Sequence, residues 1–165
     1  MIVYLVRHAL AFERDAARWP DDRDRPLTDK GAARFRKVAA VLPKLGLQVD
    51  TCLSSPLARA WQTAEILEQK AGWPEPEQLP SLEPGATPAD VVKALASRKE
   101  DALALVGHEP NLSQLLAHLL VGAGAAPLGS MKKGGIACLE FSGRPAAGKG
   151  GLLWLATPKL ILRQA

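Results

Sequence analysis

Apolar residues along the chain fall into two patterns. Short unbroken runs alternate with longer stretches in which they recur every three or four positions. The runs "IVYLV" from Ile2, "VDTCLSS" from Val49 and "ALALVG" from Ala102 are too short for buried helices, and the first and third have the look of strands buried on both faces. "GGIACLEFS" and "GGLLWLAT" near the C-terminus predict the two strands of a hairpin. The helical spacing predicts a helix capped at Thr28 or Asp29 and running to about Leu42, with Ala33, Val38, Ala39 and Leu42 on its apolar face. A second helix opens at Pro56 and carries Trp61, Ala64, Ile66 and Leu67 as its stripe up to Gly72. A short third covers "PADVVKALASR", and a fourth, capped near Asn111 or Ser113, is stopped by the glycines after Val121. "ERDAARWPDDRDRPLT", with mixed charges and no period, predicts a long surface loop, and Trp73 to Pro88 is dense in turn residues.

Strands alternating with helices over most of the length predict an α/β fold with a mainly parallel sheet covered on both faces. At 165 residues the chain suits one domain, residues 1–165. An apolar content of 47% with 23% charged residues is ordinary for a folded soluble protein. The surplus of 21 basic over 17 acidic residues is interleaved rather than blocked, which speaks against a nucleic-acid partner and favours an anionic substrate if cations converge on one cleft. Cys52 and Cys138 are too few for a disulfide framework and sit in apolar runs, as buried thiols of a reducing compartment do. Arg7 interrupts the first apolar run too early for a secretory signal. Ser113, Gln114 and His118 interrupt the most apolar helix, so no membrane association and a cytoplasmic location are expected.

Three of these strands end on polar clusters: Val6 on Arg7-His8, Leu53 on Ser54-Ser55 with Arg59 beyond, and Val106 on Gly107-His108-Glu109. Ligands bind outside the carboxyl ends of strands in open parallel sheets. Two guanidiniums suit phosphate oxygens, while imidazoles serve as nucleophile, proton carrier or neutral donor. A neutral imidazole can attack phosphorus and split one displacement into two, with arginines neutralising the equatorial oxygens and no metal or other cofactor needed.

The motifs "LVRHA", "RPLTDKG", "SSPLARAWQTA" and "LVGHEPNLS", in this order over most of the chain, resemble those of the histidine phosphatase superfamily, the phosphoglycerate-mutase-like fold. The resemblance implies a three-layer α/β/α sandwich. It also implies His8 as the phosphorylated nucleophile, with Arg7, Arg59 and His108 forming the phosphate pocket. Thr28, Ser55 and Thr63 match hydroxyl-bearing motif positions and serve equally well as caps or turn residues. Ala9 stands where the family commonly has Gly. Brevity, "RPLT" and the closing "WLATPKLIL" are most similar to the small SixA-type phosphohistidine phosphatases. Larger relatives carry a helical cap, and here only Trp73 to Pro88 is free to serve, so little or no cap and an open cleft are expected. The substrate class that follows is phosphohistidine on a signalling protein. A small phosphate ester such as a sugar phosphate or nucleotide is the alternative, and a noncatalytic phosphoprotein-binding module the third reading.

A leaving alkoxide needs a proton, and Glu83 is the first candidate to supply it. Glu109, beside His108, is the second, as acid or as orienting carboxylate; Glu13 and Asp15 read as solvated charges. Two look-alikes fail on spacing. Cys52 and Arg59 stand too far apart for a thiol-phosphatase loop, and "GRPAAGKGG" lacks the hydroxyl and the helix of a P-loop. His118 and the dispersed tryptophans read as packing residues. His8 and His108, beside arginines, make a poor cation site.

Overall fold

The computed structural model describes residues 1–164. Its strands are β1 (Ile2–Arg7), β2 (Thr51–Ser54), β3 (Glu77–Gln78), β4 (Ala102–Gly107), β5 (Ile136–Glu140) and β6 (Gly151–Ala156). The helices are α1 (Asp29–Ala39), α2 (Ala58–Ala71), α3 (Pro88–Leu95), α4 (Asn111–Leu120) and α5 (Pro158–Ile161). One sheet runs in the order β3-β2-β4-β1-β5-β6, parallel from β3 through β1, with β5 and β6 added antiparallel at one side.

Alternation along each central strand sends side chains to opposite faces. Tyr4 and Val6 enter one core with Phe35, Val38, Ala64 and Leu67 from α1 and α2. Val3 and Leu5 enter the other with Val91, Leu95, Leu112 and Leu115 from α3 and α4. Both faces are covered, giving three layers. Each fully buried leucine contributes about 1.5–3 kcal/mol, and Leu103 and Leu105 on β4, which lies between β2 and β1, have no exposed surface.

The local signals misplace several details. Helix α1 stops at Ala39, and the chain tightens into a 3-10 turn over Leu42–Leu45, where Pro43 sits and Gly46 closes at φ +70°. Ala33 is exposed, and Gly31 and Phe35 take the buried positions with Val38 and Ala39. Bulky Phe35 sets the phase of the helix, and Ala33 lies about 200° around from it. Helix α2 begins at Ala58, leaving Pro56 outside. Asn111 and Ser113 do not cap α4: Asn111 Nδ2 donates to the Ala86 carbonyl at 2.7 Å, and the Ser113 hydroxyl donates to Glu109 at 2.8 Å. The supposedly structureless loops contain 3-10 turns at Asp22–Asp24 and Pro80–Leu82, the two-residue β3, and a bridge between Ala11 and Leu27. Helix α5, capped by Thr157, has too few residues to show a period. The stretch from Gly143 to Gly150 connects β5 to β6, with a strand following it.

Candidate active site

Parallel register brings the strand ends together. Arg7 lies opposite Gly107 and Ser54 opposite Val106, so β1, β4 and β2 end on one edge. The ladder continues past them: His8 N–H donates to Gly107 O and Ser55 N–H to Val106 O, each at 3.0 Å. Arg59 enters from the first turn of α2, buried to 4% exposure. The loop ahead of β5 closes the cluster, with Gly134 N–H donating to both Arg7 O and His8 O. His8 and His108 face each other with ring centroids 5.1 Å apart.

The His8 tautomer follows from its partner. Nδ1 lies 2.7 Å from the Ala9 carbonyl, which can only accept, so Nδ1 carries the hydrogen and the ring's lone pair is on Nε2. Burial, together with the charges of Arg59, Arg7 and Lys133, pushes the His8 pKa down to about 3 against a smaller opposing pull from the Ala9 carbonyl. Burial and then the neighbouring His8 push His108 to about 2. Both rings are neutral at physiological pH. His108 Nε2 is 2.8 Å from the Ser55 hydroxyl, so Ser55 orients that ring.

Three buried nitrogens, Arg7 Nε, Arg59 Nε and His108 Nδ1, have no hydrogen-bond partner among the described residues. An unsatisfied buried polar group costs about 1–3 kcal/mol, which an anion accepting from these donors would offset. No group of three His, Cys, Asp or Glu side chains gathers as a metal site among the described residues.

The remaining candidates are spread around this cluster. Thr63 holds the loop after His8 to α2: its hydroxyl accepts from Ala9 N–H at 3.1 Å and donates to Arg59 O at 2.7 Å. Thr28 sits at the start of α1, where its hydroxyl accepts from Gly31 N–H and donates to Leu10 O. That hydroxyl is occupied in capping. Glu109 accepts from the Ser113 hydroxyl and, at 3.0 Å, from Met131 N–H, while Arg7 Nη1 donates to Met131 O. Its carboxylate thereby braces the segment that holds Arg7. Glu83 ends the 3-10 turn at Pro80–Leu82, paired with Arg23 of the long loop, with its side chain 24% exposed. Cys52 faces the α1/α2 core, and burial pushes its thiol up to about 12.

Two neighbours of the cluster escape sequence reasoning. Asp22 accepts from Arg59 through both its backbone carbonyl (2.9 Å) and its carboxylate (3.2 Å) and also pairs with Arg25, so the loop is drawn onto the site. Lys133 is close enough for its charge to act on His8. The signals present, mixed charge in "DDRDRP" and the pair "KKGG", point to no particular partner.

The depressed histidines make the fold acid-sensitive. Unfolded, each ring titrates near 6.5; folded, near 3 and 2. Between those values the unfolded chain binds protons that the folded chain does not, so stability is full above pH 6.5 and falls as pH drops toward 3. The slope reaches about 2.7 kcal/mol per pH unit for two such groups. Urea unfolding at pH 7, 6 and 5 measures this, and a His8→Asn/His108→Asn variant should flatten the dependence.

Comparisons with known proteins agree with this fold. The family model of the histidine phosphatase superfamily (branch 1) matches residues 3–83. An uncharacterized protein of Picosynechococcus sp. is 37% identical over 167 residues, covering 98% of this chain and 99% of its own. The solved structure of the protein histidine phosphatase SixA complexed with tungstate superposes with a TM-score of 0.81 at 28% identity, covering 96% of this chain and 98% of that one. The alpha-ribazole phosphatase from Shigella flexneri shares the fold, with a TM-score of 0.69 at 17% identity over 96% of this chain and 97% of that one. With its sheet order, the Arg-His end of β1 and these likenesses over nearly the whole length, the chain belongs to the histidine phosphatase superfamily.

Proposed function

We propose that this protein is a metal-independent phosphatase that removes phosphate from phosphohistidine on a cytoplasmic protein, through a phosphohistidine intermediate on its own His8. The observation that carries the reading is the neutral His8 ring, its free lone pair on Nε2, beside three buried nitrogens without partners. The SixA likeness supports the substrate class.

In the first step Nε2 of His8 attacks phosphorus, a P–N bond forms, and the bond to the leaving imidazole breaks with its electron pair. That imidazole leaves as a neutral ring if it is already protonated, so no enzyme acid is needed. Arg7, Arg59 and the Nδ1–H of His108 hold the equatorial oxygens, where charge is spread in the transition state. Water then attacks phosphorus, the P–Nε2 bond breaks, and phosphate leaves while His8 regains its lone pair. Ser55 positions His108 and Thr63 positions the backbone after His8. An alkoxide leaving group would instead draw on Glu83, which Arg23 engages here. That occupation favours the substrate that needs no acid.

Turnover of a phosphohistidine protein set against a panel of sugar phosphates and nucleotides tests the substrate class. We expect kcat/KM to favour the phosphoprotein; a strong preference for a metabolite would move the reading to a small ester. EDTA should leave the rate unchanged, and loss restored by a divalent ion would overturn the metal-free mechanism.

A further inference from the structure

Beside the nucleophile lies a second concavity. A cavity of about 160 Å³ opens between the first turns of α1 and the loop that precedes β5. Phe35, Val38 and Pro158 form its apolar floor, and Lys30, Arg34 and Lys133 stand around it. Its volume is several times the roughly 30 Å³ that one water occupies in the liquid, enough for a carboxylate or a phosphate group.

The backbone builds this place and ties it to the site. At Gly31 an added Cβ would lie 2.0 Å from Leu10 O, so only glycine lets α1 press against the segment that follows His8. Lys30 and Arg34, four positions apart, are thereby held on one side of the opening. Lys133 comes from the opposite side, fixed by its neighbour Gly134, whose N–H donates to the carbonyls of Arg7 and His8. Ala9 and Gly134 line the same cavity, so its wall is one residue from the nucleophile. Among the described residues no carboxylate lines it. Asp29, the acid next to Lys30, faces a different cavity on the far side of α1, shared with Gln62 and Glu65. Among the described residues none of the three cations makes an ion pair. Of the other cations near the centre, Arg59, Arg25 and Arg23 are engaged by Asp22 or Glu83, and Arg7, without an ion pair among the described residues, belongs to the phosphate cluster itself.

We propose that this cavity is an anion subsite that takes a second negative group of the substrate, a carboxylate side chain flanking the phosphorylated residue, while the phosphoryl group occupies the Arg7/His8/Arg59/His108 cluster. The proposal rests on the phosphatase reading above and adds a specificity to it. Three unpaired cations around an apolar floor favour an anion with a small apolar stem, as Asp and Glu side chains have. The charges are solvent-facing, so the preference is graded and sensitive to salt.

The test uses two phosphohistidine peptides of equal length, one with acidic residues on both sides of the phosphorylated residue and one with glutamine there. A second pair consists of an aryl phosphate and its carboxylate-bearing analogue. Wild-type protein should hydrolyse the acidic peptide with a kcat/KM about tenfold above its partner, the ratio shrinking from 0.05 to about 0.5 M salt. In a Lys30→Gln/Arg34→Gln variant the ratio should fall to about two or below, and in Lys30→Glu/Arg34→Glu it should invert. Both side chains are exposed, so circular dichroism and the melting temperature should show the variants folded. A preference seen in the aryl pair alone and lost in the variants keeps the subsite and assigns its anion to a small substrate. Equal ratios in wild type and variants, with wild type turning over all four substrates, would overturn the subsite and leave the phosphatase reading standing. Failure of wild type on all four would instead sink the phosphatase reading itself.

Discussion

Replacing His8 with alanine should lower turnover of an aryl phosphate by more than about a thousandfold while leaving the melting temperature within about 4 °C of wild type. The reason is chemical. His8 is the only ring at the site that combines a lone pair on Nε2, fixed there by the Ala9 carbonyl, with a ring held neutral by burial and neighbouring cations. His108 cannot substitute, because its Nε2 is engaged with Ser55. The fold tolerates the loss because the neighbouring ties, Ala9 to Thr63 and Gly134 to the carbonyls of Arg7 and His8, are made by the backbone and not by the imidazole. An alkaline denaturing quench with labelled substrate should trap phosphate on wild-type protein in an acid-labile, base-stable form and trap none on His8→Ala. A variant that retains the wild-type rate would remove the nucleophile from the scheme.

The second large effect falls on Arg59. Arg59→Ala should reduce kcat/KM by about 10²–10³, the scale on which a single preorganised donor to a developing charge acts. Arg59→Lys should recover only part of it, since an ammonium keeps the charge and loses the planar fork. Arg59 is 4% exposed and its Nε has no partner among the described residues, while its Nη atoms already reach the carbonyl and carboxylate of Asp22. The guanidinium therefore presents one edge toward the cluster and ties the long loop with the other. Competitive inhibition by orthophosphate should weaken in parallel with kcat/KM. Orthophosphate binding unchanged in Arg59→Ala, or full activity in Arg59→Lys, would remove Arg59 from the phosphate pocket.

The elements carrying the reactive groups were legible because their cues are local. Ile2 to Val6 is a continuous apolar run, which only a strand covered on both faces can bury, and the change of chemistry at Arg7 marks where it leaves the core. Thr28 announces the start of α1 through a bond to a residue three positions away. Where a cue needs more than one turn of context it fails. Ala33 read as buried until Phe35 set the helix phase, and Asn111 read as a cap although its amide reaches the carbonyl of Ala86, 25 positions away.

Glu109 and Asp22 illustrate the same divide at the site. Glu109 is adjacent to His108 in the chain, which left it open as an acid or as an orienting or structural carboxylate, and the fold turns it onto Ser113 and Met131. Asp22 lies in a stretch of alternating charges and gains its place only because α2 delivers Arg59 beneath it.

Residue order alone thus determined the alternation of strands and helices, the four motifs and the identity of the two arginines and two histidines at strand ends and on α2. These depend on period, capping and residue type, which act over a few positions of chain. The tertiary structure alone decided that Arg7, His8, Arg59 and His108 meet at one edge, which tautomer His8 adopts, that both rings stay neutral, and that Lys30, Arg34 and Lys133 surround one cavity. Parallel pairing joins segments about 100 positions apart through crossovers, and desolvation depends on every atom packed around a group, so neither quantity is encoded in any short window of sequence.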